Sequence, residues 1–210
     1  ILNPSENYSV FQFASEFHAC KKDILKRQKT PILCGGTALY IESILLNYEM
    51  SDTKPNKVLR EELESWSLEA LSAYLKSIDV NFYSNWECDS RRRIIRGIEI
   101  ASNPEKTYPN KDNIDLNDVI VLGIDYPRAT IRQRITERLK ERLENGMIEE
   151  VEGLIKNGLS IDRLEYFGLE YRWIGRYLKQ DIDKQILFEK LNTAIHQFAK
   201  RQMTFFRRMQ

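Results

Sequence analysis

Gly35-Gly36-Thr37 is the first arrangement in the chain whose residue types suit an anion. The triplet follows a short apolar run, Pro31-Ile32-Leu33-Cys34, and precedes a helix-like pattern carrying Leu39, Ile41, Ile44 and Leu45. Strand, glycine turn and helix in that order mark the place where open α/β sheets bind ligands. Glycines let backbone N–H groups come close to a phosphate, a helix N-terminus favours negative charge, and Thr37 adds a hydroxyl. A tight turn with a threonine cap explains the same residues. The nucleotide P-loop pattern G-x-x-x-x-G-K-[ST], with its phosphate lysine, occurs nowhere in the 210 residues.

Three cationic groups accompany the turn. Arg91, Arg92, Arg93 and Arg96 crowd a helical pattern that also holds Ile94, Ile95, Ile98 and Ile100; Arg92 and Arg96, four apart, share a face. No acid stands between Ser90 and Gly97, so guanidinium forks that bind phosphate bidentately point to phosphate or RNA ahead of a merely solvated face. Arg134, Arg138 and Arg142 run beside an apolar stripe of Ile131, Ile135, Leu139 and Leu143, where Glu137, Glu141 and Glu144 also permit an ordinary salt-bridged helix. Near the end, His196, Lys200, Arg201 and Arg207 interleave with Phe198, Phe205 and Phe206, with no acid after Glu189. That mixture suits an RNA surface that tracks the backbone and stacks bases, and equally an aromatic core whose charges complement the helix dipole.

The elements that must hold these groups follow from periodicity. Apolar positions from Val10 to Leu25 predict a helix over 10–28, and a second follows the glycine turn. Between Asn47 and Asp118 polar loops bracket helical patterns near 57–66, 68–78 and 89–102. The run Val119-Ile120-Val121-Leu122-Gly123-Ile124 reads as a second buried strand, then a long helix spans 129–145, another 147–156, a third about 171–178, and a last one runs from an Asp183 cap to about 208. Helix, strand, turn, helix is the grammar of an α/β layer with a parallel sheet.

With 32 Lys plus Arg against 31 Asp plus Glu, the net charge of +1 leaves any basic footprint local. No run approaches the ~18 apolar residues of a membrane helix. Cys20, Cys34 and Cys88 are odd in number and far apart, and His18 and His196 are solitary; the spacing predicts free, buried or half-buried thiols and no zinc site. Ile1 leads directly into the loop Asn3-Pro4-Ser5-Glu6, so the sequence is expected to be part of a longer protein.

Taken in order, several segments resemble the tRNA dimethylallyltransferase (tRNA isopentenyltransferase) family in its bacterial form. They are Asn3-Pro4-Ser5 with Tyr8-Ser9, Pro31 to Tyr40, Arg93-Ile94-Ile95-Arg96-Gly97-Ile98-Glu99, and Asp125-Tyr126-Pro127-Arg128 followed by Arg134-Ile135 and Arg138. Gly146-Met147-Ile148-Glu149-Glu150-Val151 and Ala199-Lys200-Arg201-Gln202-Met203-Thr204-Phe205-Phe206-Arg207 complete them. The resemblance implies a helix-rich α/β fold: a P-loop-NTPase-like parallel-sheet core, incomplete at the N-terminus, with a helical insertion. Residues 1–49 and 119–210 would form the core with its C-terminal helices, and 50–118 the insertion.

It also implies transfer of a dimethylallyl group from dimethylallyl diphosphate to N6 of the adenosine beside the anticodon, releasing pyrophosphate with Mg2+ assistance. Thr37 and Arg138 would then be catalytic, with Gly35, Gly36 and Arg134 binding substrate. Arg60, Arg92, Arg93, Arg96, Lys200, Arg201, Gln202, Thr204 and Arg207 would contact tRNA, and no residue would ligate a metal. A cytoplasmic monomer acting on the anticodon stem-loop, with no membrane, completes the picture. The family's phosphate loop and catalytic aspartate lie upstream of the part matched by Ile1, so this chain alone is expected to be inactive. Where many members have Gly-Tyr-Lys, this sequence has Phe167-Gly168-Leu169-Glu170-Tyr171-Arg172. Two rival readings are a tRNA-binding remnant without catalysis and an adenylate isopentenyltransferase acting on free nucleotide. The main reading requires Thr37 and arginines of three helices to face one polyanion, clear of acidic neighbours.

Overall fold

A computed structural model describes residues 2–48, 50–103 and 114–207. The expected polar loop from 103 to 118 lies largely outside them. Two compact units divide the chain: one takes Val10–Pro31 and Ser43–Ile114, the other Ile1–Ser9, Ile32–Glu42 and Asp115–Gln210.

In the first unit, α1 (Val10–Lys26) precedes α3 (Lys57–Leu63), α4 (Leu68–Ile78), α5 (Val80–Asn85) and α6 (Arg91–Ala101); α2 (Ala38–Leu45) begins in the second unit's share of the chain. α3, α4 and α5 each start where a polar side chain satisfies an orphan N–H. Asn56 Oδ1 accepts from Leu59 N at 3.1 Å, Ser67 Oγ from Ala70 N at 3.1 Å, and Asp79 Oδ1 from Phe82 N at 2.9 Å. Leu63, Leu71, Leu75, Ile94, Ile95 and Ile98 form the core, flanked by Trp66, Phe82 and Trp86.

Gly97 lets α6 reach Trp86. A Cβ there would fall 2.8 Å from Trp86 Nε1 and 2.9 Å from Leu75 Cδ2, while the same indole N–H donates to Arg93 O at 2.8 Å. Gly97→Ala would gain about 1 kcal/mol in helix propensity, but the collision displaces two packed side chains and a satisfied indole. A net loss of about 1–2 kcal/mol is expected, read as a lower urea midpoint at unchanged m.

The second unit stacks α7 (Arg128–Glu144), α8 (Met147–Lys156), α9 (Ile161–Phe167), α10 (Leu169–Leu178) and α11 (Lys184–Phe206) around Leu139, Met147, Val151, Leu164, Ile174, Leu187 and Leu191. Gly146, at φ 93, turns α7 into α8 through the left-handed region that glycine enters without cost to a Cβ.

The expected α/β fold with a P-loop-NTPase-like parallel sheet is corrected here: among the described residues there are helices and one 3₁₀ turn, Leu116–Asp118, but no strand. The two apolar runs that predicted strands are irregular, and Ile32, Ile120 and Ile124 are each 86% exposed. An apolar run states a demand for burial; a strand exists only where a neighbour accepts and donates along it. No described segment pairs with either run.

Candidate anion-binding site

In the second unit the Gly-Gly-Thr turn opens α2. Thr37 O accepts from Tyr40 N at 3.0 Å and Ile41 N at 3.2 Å, starting the helix. Thr37 is exposed. Its hydroxyl and the N–H groups of Gly35, Gly36 and Thr37 have no acceptor among the described residues. From the far end of the chain, Gln202 Nε2 on α11 donates to Gly36 O at 2.6 Å.

The same helix braces α7. Thr136 Oγ1 lies 3.1 Å from Asn192 Oδ1, to which it donates, and 3.3 Å from His196 Nε2. Burial, with Arg132 nearby, lowers the His196 pKa, so the ring is neutral at pH 7 and fills a packing role. On α7 the arginine row divides. Arg134 places its guanidinium 4.3 Å from the Tyr126 ring centre, and Arg142 pairs with Glu170 at 3.1 Å. Arg138 is exposed and makes no ion pair among the described residues. Lys200, Arg201, Thr204 and Arg207 are exposed on the last turns of α11, with Arg201 6.0 Å from the Phe198 ring.

The arginines of α6, in the first unit, are mostly engaged by protein. Arg91 donates to Trp66 O at 2.6 Å and Glu64 O at 3.1 Å. Arg93 pairs with Glu87 and with Asp89 at 2.9 Å. Arg96 donates to Glu99 Oε2 at 3.0 Å and to Thr53 O at 2.7 Å. Arg60 reaches the same carboxylate twice, at 2.7 and 3.0 Å. Only Arg92 of the cluster is exposed without a partner among the described residues. The sequence window from Ser90 to Gly97 holds no acid, yet Glu87, Asp89 and Glu99 stand just beyond it and neutralise two of the four, so the requirement of arginines clear of acids fails at Arg93 and Arg96.

Glu99 is the residue sequence reasoning missed. Its side chain is fully buried, and Asn56 N also donates to it at 2.8 Å. It thereby satisfies the N-cap N–H of α3, the task a glutamate inside a capping box performs. Burial alone raises its pKa, but the hydrogen bonds from Arg60, Asn56 N and Arg96 outweigh that and hold the carboxyl below its ordinary value. A lone acid on the otherwise isoleucine-lined stretch of α6 was the available signal. Arg163 on α9 was also missed: it donates to Pro4 O at 2.8 Å, to Glu6 O and to Asn7 Oδ1, and lies 4.6 Å from the Tyr166 ring, clamping the N-terminal loop.

Among the described residues no group of three or more His, Cys, Asp or Glu side chains converges, so they form no resident metal cage. All three cysteines are free, though Cys20 and Cys34 are exposed where burial was expected. No helix among the described residues is long and apolar enough to cross a membrane.

The glycine-threonine turn, whose donors meet no acceptor among the described residues, and the helix that carries Arg138 are both braced on α11. Residues 1–209 match the IPP transferase family, and the chain belongs to it. It is 44% identical to "tRNA dimethylallyltransferase 1" of Azobacteroides pseudotrichonymphae, spanning 100% of this chain and 69% of that protein. It is 42% identical to the protein of the same name from Porphyromonas gingivalis, over 98% of this chain and 68% of that one. Its structure resembles a tRNA isopentenylpyrophosphate transferase from Bacillus halodurans, with a TM-score of 0.65 at 27% identity, covering 99% of this chain and 66% of that one.

Proposed function

We propose that the protein modifies tRNA by transferring a dimethylallyl group from dimethylallyl diphosphate to N6 of the adenosine beside the anticodon. The N6 amine attacks the allylic carbon, the C–O bond to the diphosphate breaks, pyrophosphate leaves with the electron pair, and the amine's proton passes to the aspartate that the family resemblance places upstream of the part matched by Ile1. Such a displacement needs little covalent help; it needs alignment and neutralisation of the departing charge. The observation that carries the reading is a Thr37 hydroxyl and an Arg138 guanidinium, each without a partner among the described residues, on elements tied to one helix. Gly35, Gly36 and Arg134 complete the diphosphate site in this reading. Magnesium would arrive with the diphosphate, since that ion prefers substrate phosphates and water over a full protein cage. The protein would act as a cytoplasmic monomer.

For the tRNA, Arg92, Lys200 and Arg207 are exposed with no ion pair among the described residues; Arg201, 6.0 Å from the Phe198 ring, and Thr204, whose hydroxyl donates to Lys200 O at 3.0 Å, are exposed beside the last two. Arg60, Arg93 and Arg96 would act through the shape they give the first unit. The chain is expected to bind an anticodon stem-loop with affinity that falls steeply with salt. Arg92→Ala should weaken that binding and lower the salt slope by about 0.7–0.9, the share of one phosphate contact. Filter binding across a salt series decides it, and absence of stem-loop binding in the unaltered chain would remove the reading. An enzyme for free adenylate would retain full turnover on AMP when Arg92, the exposed member of the cluster without a partner among the described residues, is replaced.

A further inference from the structure

We propose that Gln202 is a positioning residue for the Gly-Gly-Thr turn, acting through the Gly36 carbonyl, and not a contact to tRNA. The proposal rests on the prenyl-transfer reading and deepens it. Gln202 sits in a basic segment, Lys200 to Arg207, whose other polar members, Lys200, Arg201, Thr204 and Arg207, are exposed; Gln202 is half-buried and its amide is turned the other way. Its Nε2 is 2.6 Å from Gly36 O across 166 residues of sequence. Facing a carbonyl oxygen, that end of the side chain must be the NH2, so the assignment of the amide follows from chemistry.

The two are in close contact. A Cβ on Gly36 would stand 2.9 Å from Gln202 Nε2, nearer than real Cβ atoms come to a neighbour. A side chain at Gly36 would therefore push the Gln202 amide away from Gly36 O, and the Gly36 φ lies outside the left-handed region. The consequence falls on Thr37. A peptide unit is planar and trans, so its C=O and the following N–H point in opposite directions. Holding the Gly36 carbonyl against α11 aims the Thr37 N–H away from α11, where no described residue accepts it. One hydrogen bond thus orients the donor and hydroxyl that the diphosphate would meet.

The test separates positioning from RNA contact. In the protein carrying the family's upstream phosphate loop and aspartate, supplied with labelled dimethylallyl diphosphate and saturating stem-loop, Gln202→Ala is expected to lower kcat about 10- to 100-fold, the scale of a misplaced catalytic group. The stem-loop Kd should stay unchanged. Gln202→Glu should be worse than alanine, because a carboxylate only accepts and would face the carbonyl with like charge. In urea unfolding, Gly36→Ala alone should destabilise and Gly36→Ala with Gln202→Ala should recover part of the loss, since the clash is gone; coupling of this kind is what a double-mutant cycle reads. A raised Kd at unchanged kcat, or strictly additive urea effects, overturns the proposal. Absence of both transfer and stem-loop binding in the unaltered protein would instead remove the prenyl-transfer reading, and the urea cycle still decides whether Gln202 holds the turn.

Discussion

Glu99→Ala is expected to destabilise the first unit by about 2–3 kcal/mol, the largest stability effect of any polar substitution here. Removing one partner of a buried ion pair costs about 3–5 kcal/mol when the remaining charge stays buried. Glu99 is fully enclosed, but the Arg60 and Arg96 side chains are 43% and 27% exposed, so water recovers part of what they lose and the lower figure applies. The Asn56 N–H would lose its acceptor as well. Glu99→Gln, which keeps the shape and one accepting oxygen, should fall between alanine and the unaltered residue. Equilibrium urea unfolding measures all three, and indistinguishable midpoints would show that the triad contributes nothing.

Acid provides an independent reading of the same group. Because the folded carboxyl has a lowered pKa, its stabilisation is complete above the unfolded value near ~4.3 and is lost as pH falls through the folded value. Stability of the unaltered chain should therefore drop from about pH 5 downward more steeply than that of Glu99→Gln, and the two curves should converge at the acid end. Parallel curves would mean that Glu99 titrates as though it were exposed.

What the sequence could reveal was bounded by distance along the chain. The helices expected over 10–28, 129–145 and from 183 to about 208 appear as Val10–Lys26, Arg128–Glu144 and Lys184–Phe206, because apolar spacing is a local property. Val80–Asn85 and Ile161–Phe167 escaped notice: six or seven residues give no periodic signal, and what sets them is a cap, Asp79 in one case and Ser160 in the other. The two expected strands failed for the opposite reason. Their apolar character is real, but pairing lies between segments and no residue within Val119 to Ile124 reports on a neighbour. The site divides along the same line. The glycine-threonine turn and the arginine row were visible as patterns; Gln202 beneath Gly36, and Glu99 between Arg60 and Arg96, join positions 166 and 39 residues apart.

In the protein carrying the family's upstream phosphate loop and aspartate, Arg138→Ala is expected to reduce prenyl transfer about 100- to 1,000-fold, the cost of deleting one preorganised donor aimed at developing charge. Its neighbour in the row supplies the control. Arg142, one turn along α7, is spent on Glu170 at 3.1 Å, so Arg142→Ala should shift stability by less than about 1 kcal/mol and leave turnover near that of the unaltered enzyme. Arg138→Lys should restore only part of the rate, because an ammonium is a point charge and cannot present the two parallel N–H groups a phosphate accepts. Thr37→Val, equal in shape but without the hydroxyl, should cost about tenfold, the loss of one neutral hydrogen bond. If the charge on α7 acts on the leaving group, the Arg138 loss must appear in single-turnover kcat with stem-loop Kd unmoved. A loss confined to stem-loop affinity would put the row against the tRNA backbone instead, and with it the face of α7 that the RNA covers.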